Sequence, residues 1–423
     1  MRTNRSRVAW LGAAFAGAAL ALTTPMSALA QDVDTFTYAP NNPVVTDLDP
    51  ATSYSNEVTA MHNMYESLTH YDSASGEVLP SLATEWSASD DGLTWTFTLR
   101  DDATFHTGRA MDADAAKAAL ERTRDLGLGA GYIWGGVESF EAPDPTTLVM
   151  NLSWPAPMDL IAAANYAAYI YDVNAAGEGA SEEELVAWFG AGNDAGTGPY
   201  TLTSWEPGAE FEVTLDAYPE YWGGWDGDHY EEVVFRVVPE ETTALQLVKA
   251  GEVSMVERLT PQLVDSLRSD ENVQIVETPS LQNLMILLNT ASGPLADPAV
   301  RAAVAKAVDT EGIAVALTGA VVPTQGVVPP GLLGYSDGFT GTGLDLAGAA
   351  ESLASAGHGP DGEPVQLTMT VAAGDTDEML VGASMKSNLA ELGVDLDVQP
   401  LEWQAQWDRA ISDNIEERQD VFV

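Results

Sequence analysis

The sequence predicts an α/β protein of two or three domains. The chain has 423 residues, and a single domain commonly holds about 150 residues. Hydrophobic residues make up 45% of the chain, which is enough to form sizeable cores. Segments in which apolar and polar residues alternate are interspersed with segments of helical period, so strands and helices are mixed along the chain.

The first half of the chain is predicted to be α+β, with hairpin-like strands. Residues 57–68 are predicted as a helix, because apolar side chains recur there at helical spacing. Thr94–Leu99 alternates strictly and is predicted as a half-buried strand. Ser181 and Glu184 form a capping box that opens a short helix. Further strands are predicted over Leu148–Leu152, Phe211–Leu215 and Glu232–Val238, and further helices over Asp112–Arg122, over Thr242–Ala250 and from Pro261.

The second half of the chain is predicted to be an α/β lobe with a parallel component. Leu284–Leu288 is a continuous apolar run, which is typical of a strand buried on both faces. Asp297 and Pro298 open a helix. The longest predicted loop is the Gly/Pro-rich segment Pro323–Gly343. A strand, a helix and a strand then follow over Val365–Val371, Asp377–Leu392 and Val394–Val398.

The first thirty residues are predicted to be a secretory signal peptide. Three arginines precede the apolar run Val8–Leu22, and small residues stand at Ala28 and Ala30, before a cleavage point after Ala30. An uncleaved membrane anchor is the alternative. The cleavage site argues against it, and so does the length of the run, because a spanning helix needs about 20 apolar residues.

Charge and cysteine content exclude several classes of function. The chain has 64 acidic and 17 basic residues, a net charge of −47, which excludes non-specific binding to nucleic acid or to anionic membranes. It has no cysteine, which excludes disulfides, thiolate metal sites, cysteine nucleophiles and a lipid anchor on cysteine. The acidic residues are spread along the chain, which favours a surface adapted to salt over an acidic face that steers a ligand.

The sequence contains no motif that predicts catalysis, a metal site or a cofactor. The nucleophile patterns of hydrolases and the zinc pattern of metalloproteases are missing, and the five histidines are scattered. The acidic segment that begins at Asp226 lacks the spacing of a calcium loop. Most tryptophans are expected in the core. Trp134 lies in a glycine-rich segment without core periodicity, which makes it a better candidate for a ligand contact than the other tryptophans.

A series of short segments, in order along the chain, resembles one family. They look like the extracytoplasmic solute-binding proteins, family 5, which serve ABC importers of the peptide/nickel class and include dipeptide- and oligopeptide-binding proteins. The segments are Leu48–Pro50, Tyr65–Leu68, Leu79–Trp86, Asp90–Arg100, Phe105–Gly108, Gly196–Tyr200, Tyr218–Gly224, Leu247–Val253, Leu288–Asn289 and Val300–Asp309. Ser254 stands where the family carries an acidic residue.

The resemblance implies a two-lobed periplasmic-binding-protein fold of class II, cluster C, with a hinge and a central cleft. Residues 31–280 would form lobe I, with an inserted subdomain at about residues 60–190, and residues 281–423 would form an incomplete lobe II. Members of this family continue beyond the point that corresponds to Val423. We therefore expect a chain truncated at its C-terminus, without the segment in which the family holds the amino terminus of a peptide.

The function implied is that of the substrate-binding component of an ABC importer. It would capture a peptide or similar small organic solute in the cleft and deliver it to a permease and ATPase complex in the inner membrane. Nickel chelates, opines and oligosaccharides are alternative ligands on the same scaffold. An exported carboxylate-dependent hydrolase is the alternative of another class. We expect a monomer in a Gram-negative periplasm, with no lipid anchor and no cofactor.

The resemblance also implies positions that face the cleft. Tyr54 and Asn56 precede the first helix, where family members contact ligand. Tyr166 and Tyr169 lie where nickel-chelate binders carry arginines. Residues 165–171 and 126–137 contain no Arg or Lys, which argues against a clamp for an anionic chelate. The remaining candidates are Gln282, Asn283 and Trp403.

Overall fold

The computed structural model divides the chain into two compact units, one ending at Val273 and one running from Gln274 to Val423. The predicted signal peptide lies outside the residues that the structure describes. None of the helices in the described part of the chain combines the length and the apolarity needed to cross a membrane. The described residues are 34–40, 45–225, 227–257, 259–278, 280–317, 321–324, 326–332, 334–339, 341, 343–359 and 362–423.

The first unit combines a mixed sheet, an antiparallel sheet and two short ribbons. Its strands are β1 (Thr35–Ala39), β2 (Glu66–Ser67), β3 (Thr69–Asp72), β4 (Glu77–Pro80), β5 (Ala83–Ala88), β6 (Thr94–Leu99), β7 (Val137–Asp144), β8 (Thr147–Leu152), β9 (Tyr169–Ile170), β10 (Tyr200–Trp205), β11 (Phe211–Ala217), β12 (Glu232–Arg236) and β13 (Met255–Val256). Its helices are α1 (Val58–Met64), α2 (Ala113–Leu126), α3 (Met158–Ile161), α4 (Glu182–Gly190), α5 (Glu241–Ala250) and α6 (Pro261–Leu267).

In the sheets of the first unit most neighbouring strands are antiparallel, and two pairs of neighbours in the mixed sheet are parallel. The mixed sheet has the order β10-β11-β12-β1-β13, and β1 runs parallel to both β12 and β13. The antiparallel sheet has the order β5-β6-β8-β7. The two ribbons are β2-β9 and β3-β4. The α+β prediction for this half is confirmed.

Helix α2 covers the antiparallel sheet because its alanine-rich face is apolar. Ala113, Ala116 and Leu120 are fully buried in the same cluster as side chains of β6 and β8. The helix begins at the cap Asp112, whose carboxylate accepts the backbone N–H of Ala115 at 2.9 Å. It ends at Gly127, which adopts the left-handed conformation with φ 59°. Helix α2 thereby fixes the start of the loop that follows Gly127.

The predicted helix over residues 57–68 ends earlier than its apolar spacing indicates. The helix stops at Met64, Tyr65 is extended, and Glu66 pairs with Ile170 in the β2-β9 ribbon. Met61 lies on the helix, Tyr65 lies at its end and Leu68 lies between strands β2 and β3. All three residues are buried. These apolar residues recur at helical spacing because each of them is buried, although they do not share one helix face. The prediction of a helix over residues 65–68 is therefore wrong.

The second unit is a four-stranded sheet covered by helices. Its strands are β14 (Leu287–Leu288), β15 (Val365–Ala372), β16 (Val394–Leu401) and β17 (Val421–Phe422). Its helices are α7 (Pro298–Lys306), α8 (Thr310–Ala316), α9 (Leu346–Ser355), α10 (Thr376–Glu391) and α11 (Trp403–Ala410). Strands β15 and β16 run parallel, and α10 connects them, so the predicted strand–helix–strand unit is confirmed. The described residues of the predicted loop Pro323–Gly343 form no helix or strand.

The apolar run Leu284–Leu288 is not a strand buried on both faces. Only Leu287 and Leu288 form the short strand β14, which lies at the edge of the sheet order β14-β17-β15-β16. The Leu287 side chain is 49% exposed, and Leu284 and Met285 are also exposed. An edge strand of two residues has one paired neighbour, so it does not bury both faces of the run. The sequence prediction is wrong here.

Candidate functional site

The turn before α1 is fixed by a buried ion pair. The Asp49 carboxylate accepts two hydrogen bonds from the Arg122 guanidinium, at 2.7 and 2.6 Å. It also accepts the backbone N–H of Ala51 at 3.0 Å. Arg122 in turn contacts Glu182 at 2.6 Å, so its charge is shared between two carboxylates. Because Asp49 and Arg122 are both buried, this pair holds the turn in one position on helix α2.

Glu57 organises the other side of the same turn. Its side chain is almost fully buried, with 1% of the residue exposed. One carboxylate oxygen accepts the backbone N–H groups of Tyr54 and Ser55, each at 2.6 Å. Burial raises the pKa of the Glu57 carboxyl, and the two backbone donors partly oppose that shift. Glu57 thereby holds residues 54–56 so that the side chains of Tyr54 and Asn56 are exposed.

Tyr54, Tyr132 and Tyr166 form an exposed aromatic group, which we call the tyrosine surface. Tyr54 is 56% exposed and Tyr132 is 69% exposed. The rings of Tyr54 and Tyr166 lie 5.5 Å apart at an interplanar angle of 55°. The Tyr166 hydroxyl donates to the carbonyl of Ser55, and the Tyr54 and Tyr132 side chains are hydrogen bonded. Burial raises the pKa of Tyr166 to about 12, so its phenol is uncharged at neutral pH.

The glycine-rich loop can approach this turn only because Gly129 has no side chain. Gly129 has φ +51°, and a Cβ on it would lie 2.7 Å from the carbonyl oxygen of Thr52. The loop therefore packs its backbone directly on the turn that Asp49 and Glu57 hold. This close approach brings Tyr132 to the tyrosine surface.

Trp134 does not lie on the surface of this loop. It is fully buried in a short 3₁₀ turn, and its indole N–H donates to the carbonyl of Ala167 at 2.7 Å. Its ring also makes an edge contact with Phe140 at 5.9 Å. Ala167 has the unusual φ of 59°, directly after Tyr166. The expectation of a ligand-facing Trp134 is therefore corrected: the indole supports the segment that carries Tyr166.

Tyr169 is also inside the first unit. It belongs to β9, is buried, and packs against Tyr65 with ring centroids 5.6 Å apart. Burial raises the pKa of its phenol. Its hydroxyl has no hydrogen-bond partner among the residues that the structure describes. Tyr169 thus lies beneath the tyrosine surface and not within it.

The candidates of the second unit lie in two places. Gln282 is exposed, and the Asn283 side-chain amide donates to the carbonyl of Val327 at 3.0 Å. Trp403 is 53% exposed at the start of α11. It stacks on Trp407 at 6.2 Å with an interplanar angle of 18°, and both rings contact Phe422 edge-on. The second unit therefore offers its own aromatic surface.

Sequence reasoning singled out Tyr54, Asn56 and Tyr166, which the structure places around one turn. It missed Tyr132, which lies two residues before Trp134 in the same segment without core periodicity. The pairing of Trp403 with Trp407 was also missed, although a spacing of four residues on a helix indicates it. Among the described residues, no group of three or more His, Asp or Glu side chains could hold a metal ion.

The described residues thus form mixed sheets and helices that present exposed aromatic side chains on each unit. The particular family follows from the sequence. A family model described as "Bacterial extracellular solute-binding proteins, family 5 Middle" matches residues 77–416. The chain belongs to this family, as its motifs indicated.

Individual proteins support the same assignment. The chain is 28% identical over 353 residues to the "Probable D,D-dipeptide-binding periplasmic protein DdpA" of Escherichia coli K12. That alignment covers 82% of this chain and 66% of DdpA, so the chain spans slightly less than two thirds of this relative.

Two solved structures share the fold over 92% of this chain. One is the periplasmic binding protein DppA of Helicobacter pylori in complex with peptide STSA, with a TM-score of 0.78, 22% identity and 77% of that chain covered. The other is NikZ of Campylobacter jejuni in complex with Ni(L-His), with a TM-score of 0.77, 23% identity and 76% of that chain covered. Both are two-lobed periplasmic binding proteins of the family 5 type, which confirms the predicted fold class.

Proposed function

We propose that the protein is the substrate-binding component of an ABC importer that captures a peptide or a similar small organic solute. The observation that carries this proposal is the tyrosine surface on the turn held by Glu57 and Asp49. Buried groups hold this turn, yet it presents Tyr54 and Asn56 to solvent. A rigid frame with exposed aromatic and amide groups suits ligand binding, because little order is lost when the ligand binds.

Peptides are favoured over anionic metal chelates as the ligand. The Arg122 guanidinium, which contacts Asp49 of this turn, is buried and also bound to Glu182, so it cannot clamp an anion. The relative DdpA carries a name that specifies a dipeptide, which agrees with this choice. NikZ was solved with a nickel–histidine complex, so nickel chelates, opines and oligosaccharides are the alternatives on this scaffold.

The proposed contacts are a subset of the positions that the sequence indicated. Tyr54, Asn56 and Tyr166 would contact the solute from the first unit. On the second unit, taken by itself, Gln282, Asn283 and Trp403 are the candidate contacts. Trp134 and Tyr169 are buried, so we assign them to the support of the surface.

The other properties follow from the same assignment. We propose that the protein is a monomer without catalytic activity or a cofactor. It would be exported by a signal peptide cleaved after Ala30, would act in the periplasm without a lipid anchor, and would deliver its solute to a membrane permease and its ATPase.

A thermal-shift screen tests the proposal. The protein without residues 1–30 is heated with dipeptides, oligopeptides, nickel–histidine, opines and sugars. A ligand at one hundred times its Kd adds about 2.7 kcal/mol to the free energy of unfolding. We expect peptides to raise the melting temperature, and Tyr54→Leu to weaken that shift while Tyr71→Leu, in the β3-β4 ribbon, does not. A silent panel contradicts the proposal, and mass spectrometry that detects peptide cleavage would establish the hydrolase alternative.

A further inference from the structure

The first unit contains a cavity that the proposed function does not use. It is bounded by α1 and the mixed sheet, and its volume is about 470 Å³. Sites for small molecules commonly have volumes of about 300–1,000 Å³. The described residues that line it include none of Tyr54, Tyr132 and Tyr166, so the cavity is separate from the tyrosine surface.

The floor of this cavity is apolar because one face of the mixed sheet carries large apolar side chains at alternate positions. Phe36 and Tyr38 are two residues apart on β1, and Val233 and Phe235 are two residues apart on β12. Side chains two residues apart on a strand lie on the same face of a sheet. In the register of these parallel strands Phe36 pairs with Val233 and Tyr38 pairs with Phe235, so the four side chains form one layer.

The rings that line the cavity are set at steep angles to one another. Tyr38 and Phe235 make an edge contact at 5.5 Å and 89°, and Phe36 and Tyr230 are tilted by 53° at 5.1 Å. Aromatic rings prefer edge-to-face and offset contacts, and rings at such angles offer both an edge and a face to a third ring. Tyr230 and Met255 are 43% and 47% exposed and form the rim, where a thioether also suits an aromatic neighbour. This geometry therefore fits a flat aromatic ring.

The polar groups of the cavity favour a hydrogen-bond donor and disfavour an anion. The Asn63 side-chain N–H donates to the carbonyl of Thr59 at 2.8 Å, one turn earlier in α1, and the Asn63 amide oxygen can accept a further bond. The described lining residues include one carboxylate, that of Glu257, and no Lys, Arg or His. A buried anion without a basic partner is costly. The occupant that fits is a neutral ring with an N–H or O–H group.

We infer that this cavity binds a small neutral aromatic compound with a hydrogen-bond donor, of the indole or phenol type. The Asn63 amide oxygen accepts the bond from the donor. The rings of Phe36, Tyr38 and Phe235 contact the aromatic ring of the compound. The inference concerns a second site and does not rest on the proposed function.

Three related compounds test this inference. Calorimetry on the protein without residues 1–30 measures the binding of indole, of benzofuran, which has a ring oxygen in place of the N–H, and of the anion indole-3-acetate. We expect indole to bind about fivefold more tightly than benzofuran, as one net hydrogen bond predicts. Indole-3-acetate should bind about tenfold more weakly than indole. The inference is overturned if indole does not bind, or if indole-3-acetate binds as tightly.

Variants of the lining locate the bound compound. Asn63→Leu should abolish the difference in affinity between indole and benzofuran, because it removes the acceptor. Tyr230→Ala should weaken both compounds about tenfold, because it removes a ring from the rim. Tyr71→Ala, at an exposed tyrosine of the β3-β4 ribbon, and Tyr54→Leu, on the tyrosine surface, are the controls and should leave both affinities unchanged.

Two results with these variants would contradict the inference. A loss of indole binding in Tyr54→Leu with none in Tyr230→Ala would mean that indole binds at the tyrosine surface. Sedimentation that detects a dimer, which Tyr230→Ala dissociates, would mean that a second copy of the chain covers the cavity.

Discussion

At the scale of single residues, Glu57 links stability to the presentation of the candidate site. Its one bonded oxygen holds two backbone N–H groups, and its other oxygen is buried without a partner among the described residues. Burial of an ionised carboxylate costs free energy, which is why its pKa is raised above the ordinary value of 4.5. The turn that displays Tyr54 is therefore maintained at some cost to stability.

Glu57→Gln should reveal this cost as a pH dependence. A carboxyl with a raised folded pKa binds its proton more tightly in the folded state, so its contribution to stability is fully present below pH 4.5. That contribution is lost as the pH rises from 4.5 through the folded pKa. We expect the free energy of unfolding of the wild type, relative to Glu57→Gln, to fall over this window. Urea denaturation at closely spaced pH values measures it, with the exposed Glu183→Gln as control. A relative free energy that rises instead would show that the pKa is lowered.

Trp134→Phe should destabilise the first unit through a single hydrogen bond. The change keeps an aromatic ring in the core and removes the indole N–H that binds the Ala167 carbonyl. A buried carbonyl left without its donor costs about 1–3 kcal/mol. Chemical denaturation measures the loss, and the exposed Trp154→Phe should cost less than about 0.5 kcal/mol. Equal losses in the two variants would mean that the indole bond contributes nothing.

The buried position of Trp134 shows what the sequence could and could not predict about the candidate site. Gly129 and Gly131 precede it in a segment that has no core periodicity, which indicated a surface loop. Both glycines are instead required by close backbone contacts, since a Cβ on either would lie 2.7 Å from a carbonyl oxygen. The contact between Gly129 and Thr52 joins segments distant in sequence, and no local pattern records it. Tyr54 was selected because it precedes the first helix, where family members contact ligand; the structure shows it exposed, and its contact with a solute stays a prediction.

At the scale of elements, the turn Gly196–Tyr200 is packed against the end of α1. The backbone N–H of Gly198 donates to the carbonyl of Met64 at 2.9 Å. The His106 ring contacts both the Asp194 carboxylate and the Gly198 carbonyl. This network holds the point at which α1 gives way to β2, and it explains why the helix ends at Met64.

Gly196→Ala should be strongly destabilising. A Cβ at Gly196 would lie 1.9 Å from the Met64 carbonyl oxygen, which belongs to rigid backbone and cannot move aside cheaply. We expect a loss of about 3 kcal/mol, the upper end of overpacking costs. Gly190→Ala, at the end of α4 with no atom within 4 Å, is the matched control and should be neutral or slightly stabilising. Thermal and chemical unfolding of the two variants compare these effects. A tolerated Gly196→Ala would show that the turn can move away from α1.

Elements were predictable where their signals were local. The capping box of Ser181 and Glu184 is formed, and β6 has the predicted bounds Thr94–Leu99. The β15–α10–β16 unit was also found, because each of its elements has a clear period. The apolar run Leu284–Leu288 was predicted wrongly. An apolar run forms a buried strand only where neighbouring strands cover it, and this pairing depends on the whole sheet.

At the scale of the whole molecule, the main electrostatic feature is the excess of acidic over basic residues. The chain has 64 acidic and 17 basic residues, so most carboxylates cannot have a basic partner. Buried pairs such as Asp49 with Arg122 use some of the few cations for structure. The remaining carboxylates repel one another, and this repulsion destabilises the compact state.

Salt should therefore stabilise the protein through screening. The Debye length falls from about 30 Å at 0.01 M to about 3 Å at 1 M, so repulsion between surface carboxylates disappears over this range. We expect the melting temperature at pH 7 to rise steadily as sodium chloride increases from 0.01 to 1 M. Close to the sequence pI of about 4.1, the net charge is near zero and the same salt series should have little effect. A rise of equal size at both pH values would assign the effect to solvent exclusion by salt, and would contradict an origin in charge repulsion.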